Sequence, residues 1–125
     1  MADTQQVQKQ YLFTITHFEN DPDRVATPLV LANNALAAGG DVLVWLSLDG
    51  VKLAKKDAAK AIVPKSFPPV ADLLKAFSEA GGRIGVCPPC AKTHGVVQEN
   101  MMPNAEFMGG AAVIGAADGR QVFSF

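Results

Sequence analysis

The sequence predicts one α/β domain, a mostly parallel sheet with helices on both faces. Three observations carry that prediction. Short runs rich in β-branched and aromatic residues alternate with stretches of helical periodicity. One run, Asp41 to Leu48, is apolar almost without a break, as in a strand buried on both faces. The chain has 125 residues, enough for one hydrophobic core and too few for two.

Tyr11 to His17 reads as the first strand, closed by the turn signal Asn20-Asp21-Pro22. Val25, Leu29, Ala32 and Leu36 recur at helical spacing, and Gly39-Gly40 supplies the stop. Either Thr27 caps this helix with Pro28 at its first position, or Pro28 sits in the early turns of a helix begun near Asp23. Asp41 to Leu48 is the second strand and Asp49-Gly50 ends it. Val51 to Ala61 reads as a charged helix, followed by a proline-rich break at Pro64, Pro68 and Pro69. Val70, Leu73, Leu74 and Phe77 make the next amphipathic helix, stopped by Gly81-Gly82. Arg83 to Cys87 is a short third strand, with a short helix near Cys90 to Thr93. A loop through Asn100 to Asn104 leads to a small-residue helix near Gly110 to Ala117. Asp118-Gly119 then turns the chain into a last strand, Gln121 to Phe125. Alternation of this kind implies right-handed βαβ units, whose functional residues gather at the carboxyl ends of the strands. His17 to Asp21, Ser47 to Gly50 and Cys87 fall at such ends.

Composition narrows the function. Residues are 49% hydrophobic and 18% charged, so a small chain with a low-charge surface is expected to cover part of it with another subunit. The net charge is −1, and the one basic cluster, Lys52, Lys55, Lys56 and Lys60, is interrupted by Asp57. That cluster reads as a solvated helix face, and nucleic acid is set aside as a partner. No apolar run approaches the ~20 residues of a membrane span. Residues 1–10 read as a mobile polar tail without the basic and apolar regions of a signal peptide, leaving 11–125 as the domain. A cytoplasmic location follows, and there Cys87 and Cys90 are not expected to form a static disulfide.

The chemistry centres on Cys87-Pro88-Pro89-Cys90. Cys87 ends a strand, and the two prolines suit the first positions of a helix. A thiol at a helix N-terminus meets unpaired N–H groups and the positive end of the dipole, which favour the nucleophilic thiolate. Two intervening residues let Cys90 come within disulfide reach, so it can resolve an adduct on Cys87. The competing readings are two buried cysteines serving as small hydrophobes, or a zinc site. For zinc, Cys87, Cys90 and His94 supply three donors, and His17 a fourth if the first and third strands are neighbours. His94 lies one helical turn after Cys90 and can assist as a proton donor, or simply face solvent at a helix end. His17 faces the same choice between catalysis and a structural hydrogen bond.

The order of elements, the Gly39-Gly40-Asp41-Val42 entry into the second strand, and the run Val86-Cys87-Pro88-Pro89-Cys90-Ala91 with His94-Gly95-Val96 resemble the DsrE/DsrF-like sulfur-relay proteins. The resemblance spans Tyr11 to Phe125. It implies a compact DsrE-like fold, assembly as trimers or hexamers, and Cys87 as a sulfur acceptor serving donor and acceptor proteins. No cofactor is expected, and no metal, since only one Cys/His knuckle is present. Cys90 has no counterpart in the most directly comparable carriers. It opens a thiol–disulfide redox role, and a non-catalytic oligomeric binding module of the same fold is the third alternative. The segment from Gln98 to Phe107, beside the cysteines, is the expected docking surface.

Overall fold

A computed structural model describes residues 7–125. The elements follow in the order β1 (Gln10–Ile15), α1 (Pro22–Ala37), β2 (Asp41–Leu46), two 3-10 segments (Leu48–Ala54 and Ala58–Ala61) and α2 (Val70–Glu79). Then come β3 (Arg83–Val86), α3 (Pro88–Thr93), a 3-10 turn (Gln98–Asn100), β4 (Ala105–Phe107), α4 (Gly110–Ala117) and β5 (Gln121–Ser124). Of the residues read as a tail, 1–6 lie outside those described.

The five strands form one sheet in the order β4-β3-β2-β1-β5, every neighbouring pair parallel. From β1 to β4 each crossover steps to the same side, and the connection from β4 to β5 returns past β1. Right-handed crossovers stepping in opposite directions must use opposite faces. Accordingly α1, α2 and α3 pack on one face, against Phe13, Ile15, Val42, Val44, Leu46, Ile84 and Val86. On the other face α4 sets Val113 against Leu12 and Leu43. Alternation along each strand divides β1 and β2 between the two cores. The expected helices on both faces are therefore present.

Two expectations are corrected. Val51 to Ala61 is not one continuous helix but parts of two 3-10 segments. Asp57 adopts a left-handed backbone (φ 66°) that breaks it, and Lys56 N–H donates to Asn100 O at 2.8 Å rather than to its own turn. Met102 N–H likewise donates to Ala54 O at 2.8 Å, so the segment is stitched to the loop after α3. β4 was not foreseen. Its three residues replace the end of the loop predicted to lead into α4 and bury only Ala105. At α1 the earlier start holds: Asp21 caps the helix by accepting from Arg24 N–H at 3.2 Å, and Pro28 lies within the helix, buried.

Candidate functional site

At the carboxyl edge of the sheet, Cys87 N–H donates to Leu46 O at 3.0 Å, carrying the β2–β3 ladder one residue past β3. Cys87 then caps α3, with Ala91 N–H donating to its carbonyl at 2.9 Å. Pro88 and Pro89 fill the first helical positions, where no internal hydrogen bond is forfeited. Gly95 ends the turn with φ 70°, a backbone that favours glycine.

Both cysteines are free and half-buried. Burial raises the Cys87 thiol above its ordinary value, the Cys90 backbone N–H opposes that, and a hydrogen bond and like charge from the Cys90 side chain add to it. The net direction is upward, against the expectation that the helix terminus would favour the thiolate. The reason is desolvation, the largest cause, which outweighs the Cys90 N–H at the start of the helix.

Ser47 to Gly50 comes to the same place by a tight approach. A Cβ on Gly50 would lie 2.3 Å from Ile15 O, so only glycine lets this turn press against the end of β1. Leu48, just before it, holds a left-handed backbone (φ 51°) with its side chain 60% exposed. Strain of this kind in a leucine persists only where the surroundings enforce it. Asp49 reaches His94 Nε2 at 3.2 Å, tying the end of α3 to the β2 turn. The sequence places Ser47 to Gly50 at a strand's carboxyl end but gives Leu48 and Asp49 no role of their own, because nothing in their spacing announces a partner forty-five residues away.

His94 thus engages Asp49, and among the described residues it makes no hydrogen bond to either thiol. His17 goes elsewhere. Its Nδ1 lies 3.0 Å from Thr16 Oγ1, whose own proton is donated to Phe125 O at 3.0 Å. The hydroxyl is left as acceptor, so Nδ1 carries the imidazole proton. β2 separates β1 from β3, which removes the condition for His17 to complete a zinc site. Among the described residues no three His, Cys, Asp or Glu side chains gather as a metal cluster. The structure therefore joins Cys87, Cys90 and His94 on one segment and leaves His17 on the far side of β2.

Beside α3 an apolar cavity of about 330 Å³ is lined by Pro88, Ala91, Val96, Val97, Gln98 and Phe107. Val97 and Phe107 remain exposed.

Comparison with known proteins decides the lineage. Residues 9–125 match the DsrE/DsrF-like family. The chain belongs to that family. An uncharacterized protein of Methanocaldococcus jannaschii is 31% identical over 97 residues, covering 78% of this chain and 82% of its own length. A second, from Methanopyrus kandleri, is 33% identical over 84 residues, covering 67% and 66%. The fold of this DsrE/DsrF-like chain is shared with the ychN protein of E. coli, at a TM-score of 0.77 and 14% identity over 95% of this chain and all of that one. It is shared too with a protein of Methanobacterium thermoautotrophicum, at a TM-score of 0.72 and 15% identity over 94% and all of the respective chains. No helix among the described residues of this DsrE/DsrF-like protein is long and apolar enough to cross a membrane.

Proposed function

We propose that this protein is a sulfur-relay carrier that accepts sulfur on Cys87 as a persulfide and passes it between partner proteins. The family supports a role of this type. The carrying observation is Cys87 itself: half-buried at the carboxyl edge of a parallel sheet, it caps the short helix that carries Cys90. The Cys87 thiolate attacks the outer sulfur of a donor persulfide. A new S–S bond forms on Cys87, the donor's S–S bond breaks, and the donor leaves as a thiolate. Delivery repeats the exchange toward an acceptor thiol. Burial favours the protonated thiol at neutral pH, so loading begins when a docked donor accepts the Cys87 proton.

Cys90 gives a second outcome. Its thiolate attacks the Cys87 sulfur and expels the outer sulfur as hydrosulfide, leaving a Cys87–Cys90 disulfide that an external dithiol must reduce. Leu48, Val97 and Phe107, exposed around the site, supply an apolar surface for docking partners. The protein works in the cytoplasm as a homo-oligomer, a trimer or hexamer.

The test is the intact mass of the reduced protein after incubation with a cysteine desulfurase and cysteine. A reducible gain of one sulfur atom is expected in the wild type and in Cys90→Ala, and not in Cys87→Ala. Loss of two hydrogens that requires both cysteines, with no sulfur gain in Cys90→Ala, would replace the carrier by a thiol–disulfide redox protein. No change in any form would favour a non-catalytic binding module.

A further inference from the structure

The lysine cluster is solvent-facing, as its spacing suggested, but it spans two 3-10 segments and not one helix face. Lys52 turns away from it, pairing with Glu19 at 3.6 Å and standing 5.4 Å from the centre of the Phe18 ring. Lys55, Lys56 and Lys60 instead meet Lys75 of α2 around an open cavity of about 620 Å³, a size in the range of small-molecule sites. The floor between them is apolar, made by Ala59, Ala71, Leu74, Met102 and Pro103. The left-handed backbone of Asp57 sits on the rim and lets the two 3-10 segments bend around the opening. Asn104 also lines it while its amide donates to Gly82 O at 3.0 Å, which places the cavity toward the amino ends of β3 and β4. The cysteines lie at the opposite edge of the sheet.

Charge decides what fits. Asp57 neutralises Lys60 at 3.1 Å. Among the described residues Lys55, Lys56 and Lys75 take part in no ion pair, and the remaining carboxylates on the lining are Asp72 and Glu79. Three ammonium groups face two carboxylates, an excess of one positive charge above an apolar floor. Lysines without an arginine fork act as point charges and do not select a bidentate phosphate.

We propose that this cavity binds an amphipathic organic monocarboxylate, its apolar body on Leu74 and Met102 and its carboxylate among Lys55, Lys56 and Lys75. The site is separate from Cys87, and its occupancy does not depend on the sulfur-carrier reading.

Decanoate is the probe, titrated calorimetrically into the full chain, with methyl resonances reporting location. Saturable binding with Kd below about 1 mM is expected, with the largest shifts at Leu74 and Met102. Acetate, the head without the tail, and decylammonium, the same tail with opposite charge, are expected to bind at least tenfold more weakly, about the contribution of one charge-assisted contact. The triple variant Lys55→Gln, Lys56→Gln, Lys75→Gln should weaken decanoate about tenfold, and Cys87→Ala should leave it unchanged. Equal binding of decylammonium, an unaffected triple variant, shifts confined to other apolar surfaces, or no saturation would each overturn the proposal.

Discussion

Cys90 acts on Cys87 in two opposed ways, and substitution separates them. Its backbone N–H lowers the Cys87 pKa, while its side chain raises it by hydrogen bond and by charge. Cys90→Ala keeps the first and deletes the second. The Cys87 thiolate should therefore form at lower pH in that variant, and alkylation by iodoacetamide near pH 8 should run faster than at Cys87 of the wild type. A midpoint unmoved or shifted upward would show that burial alone sets the thiol. The same shift carries a sign for stability. The folded state holds the Cys87 proton more tightly than the unfolded chain. At neutral pH both states keep it and nothing is gained or lost. As pH climbs through the ordinary thiol range the unfolded chain ionises first, and stability declines. Cys87→Ala should flatten that alkaline decline. The Asp49–His94 pair contributes little by comparison, since Asp49 is well exposed and such pairs are worth at most ~1 kcal/mol.

Among the elements, the turn after β2 bears the most constraint. Gly50 is buried with Ile15 O 2.3 Å from where a Cβ would stand, and that oxygen already accepts from Ser47 N–H at 3.1 Å. Gly50→Ala must push the turn off the end of β1, at about 2 kcal/mol or more, the usual scale of overpacking. Urea unfolding should show the midpoint falling at unchanged slope, with sulfur loading on Cys87 reduced because Asp49 moves with the turn. Unaltered stability would mean that the turn has slack. How much was legible beforehand follows from the same kind of constraint. β1, β2, β3, β5, α1, α2 and α4 announce themselves by periodicity and by glycine stops. The 3-10 segments do not, because Val51, Leu53, Ala54 and Ala59 are buried by partners distant in sequence, and Asp57 breaks a pattern that composition leaves intact. β4 carries no apolar run. At the site, Cys87 and Cys90 were readable because a strand end, two prolines and a glycine are local signals. Ser47 to Gly50 was readable as a strand end, but the roles of Leu48 and Asp49 were not, because they exist only once β2 and β3 lie side by side.

At the scale of the whole molecule, the two faces of the sheet are unequally covered. Five strands about 4.8 Å apart make a sheet roughly 19 Å wide. α1, α2 and α3 cover one face, whereas α4 alone, a helix of about 10 Å diameter, lies on the other. α4 is apolar all round, yet only Val113 is buried. Ile114 is 73% exposed, and Val122, which pairs with Leu12 on this same face, is 50% exposed. A helix without a polar side belongs inside a core, and an edge strand with an apolar face invites a partner. The α4–β5 surface is therefore the natural seat of the homo-oligomer proposed above. Sedimentation equilibrium should find the wild type as a trimer or hexamer, and Ile114→Lys with Val122→Lys as a monomer that keeps its far-ultraviolet circular dichroism. Sulfur loading on Cys87 tests what the assembly is for, since the cysteines sit at the edge of the sheet and not under α4. Loading that survives in the monomer would make the oligomer a matter of stability. Loading lost from a folded monomer would mean that a neighbouring subunit helps to form the docking surface. An unchanged oligomer in the double variant would move the interface to the exposed apolar residues around α3.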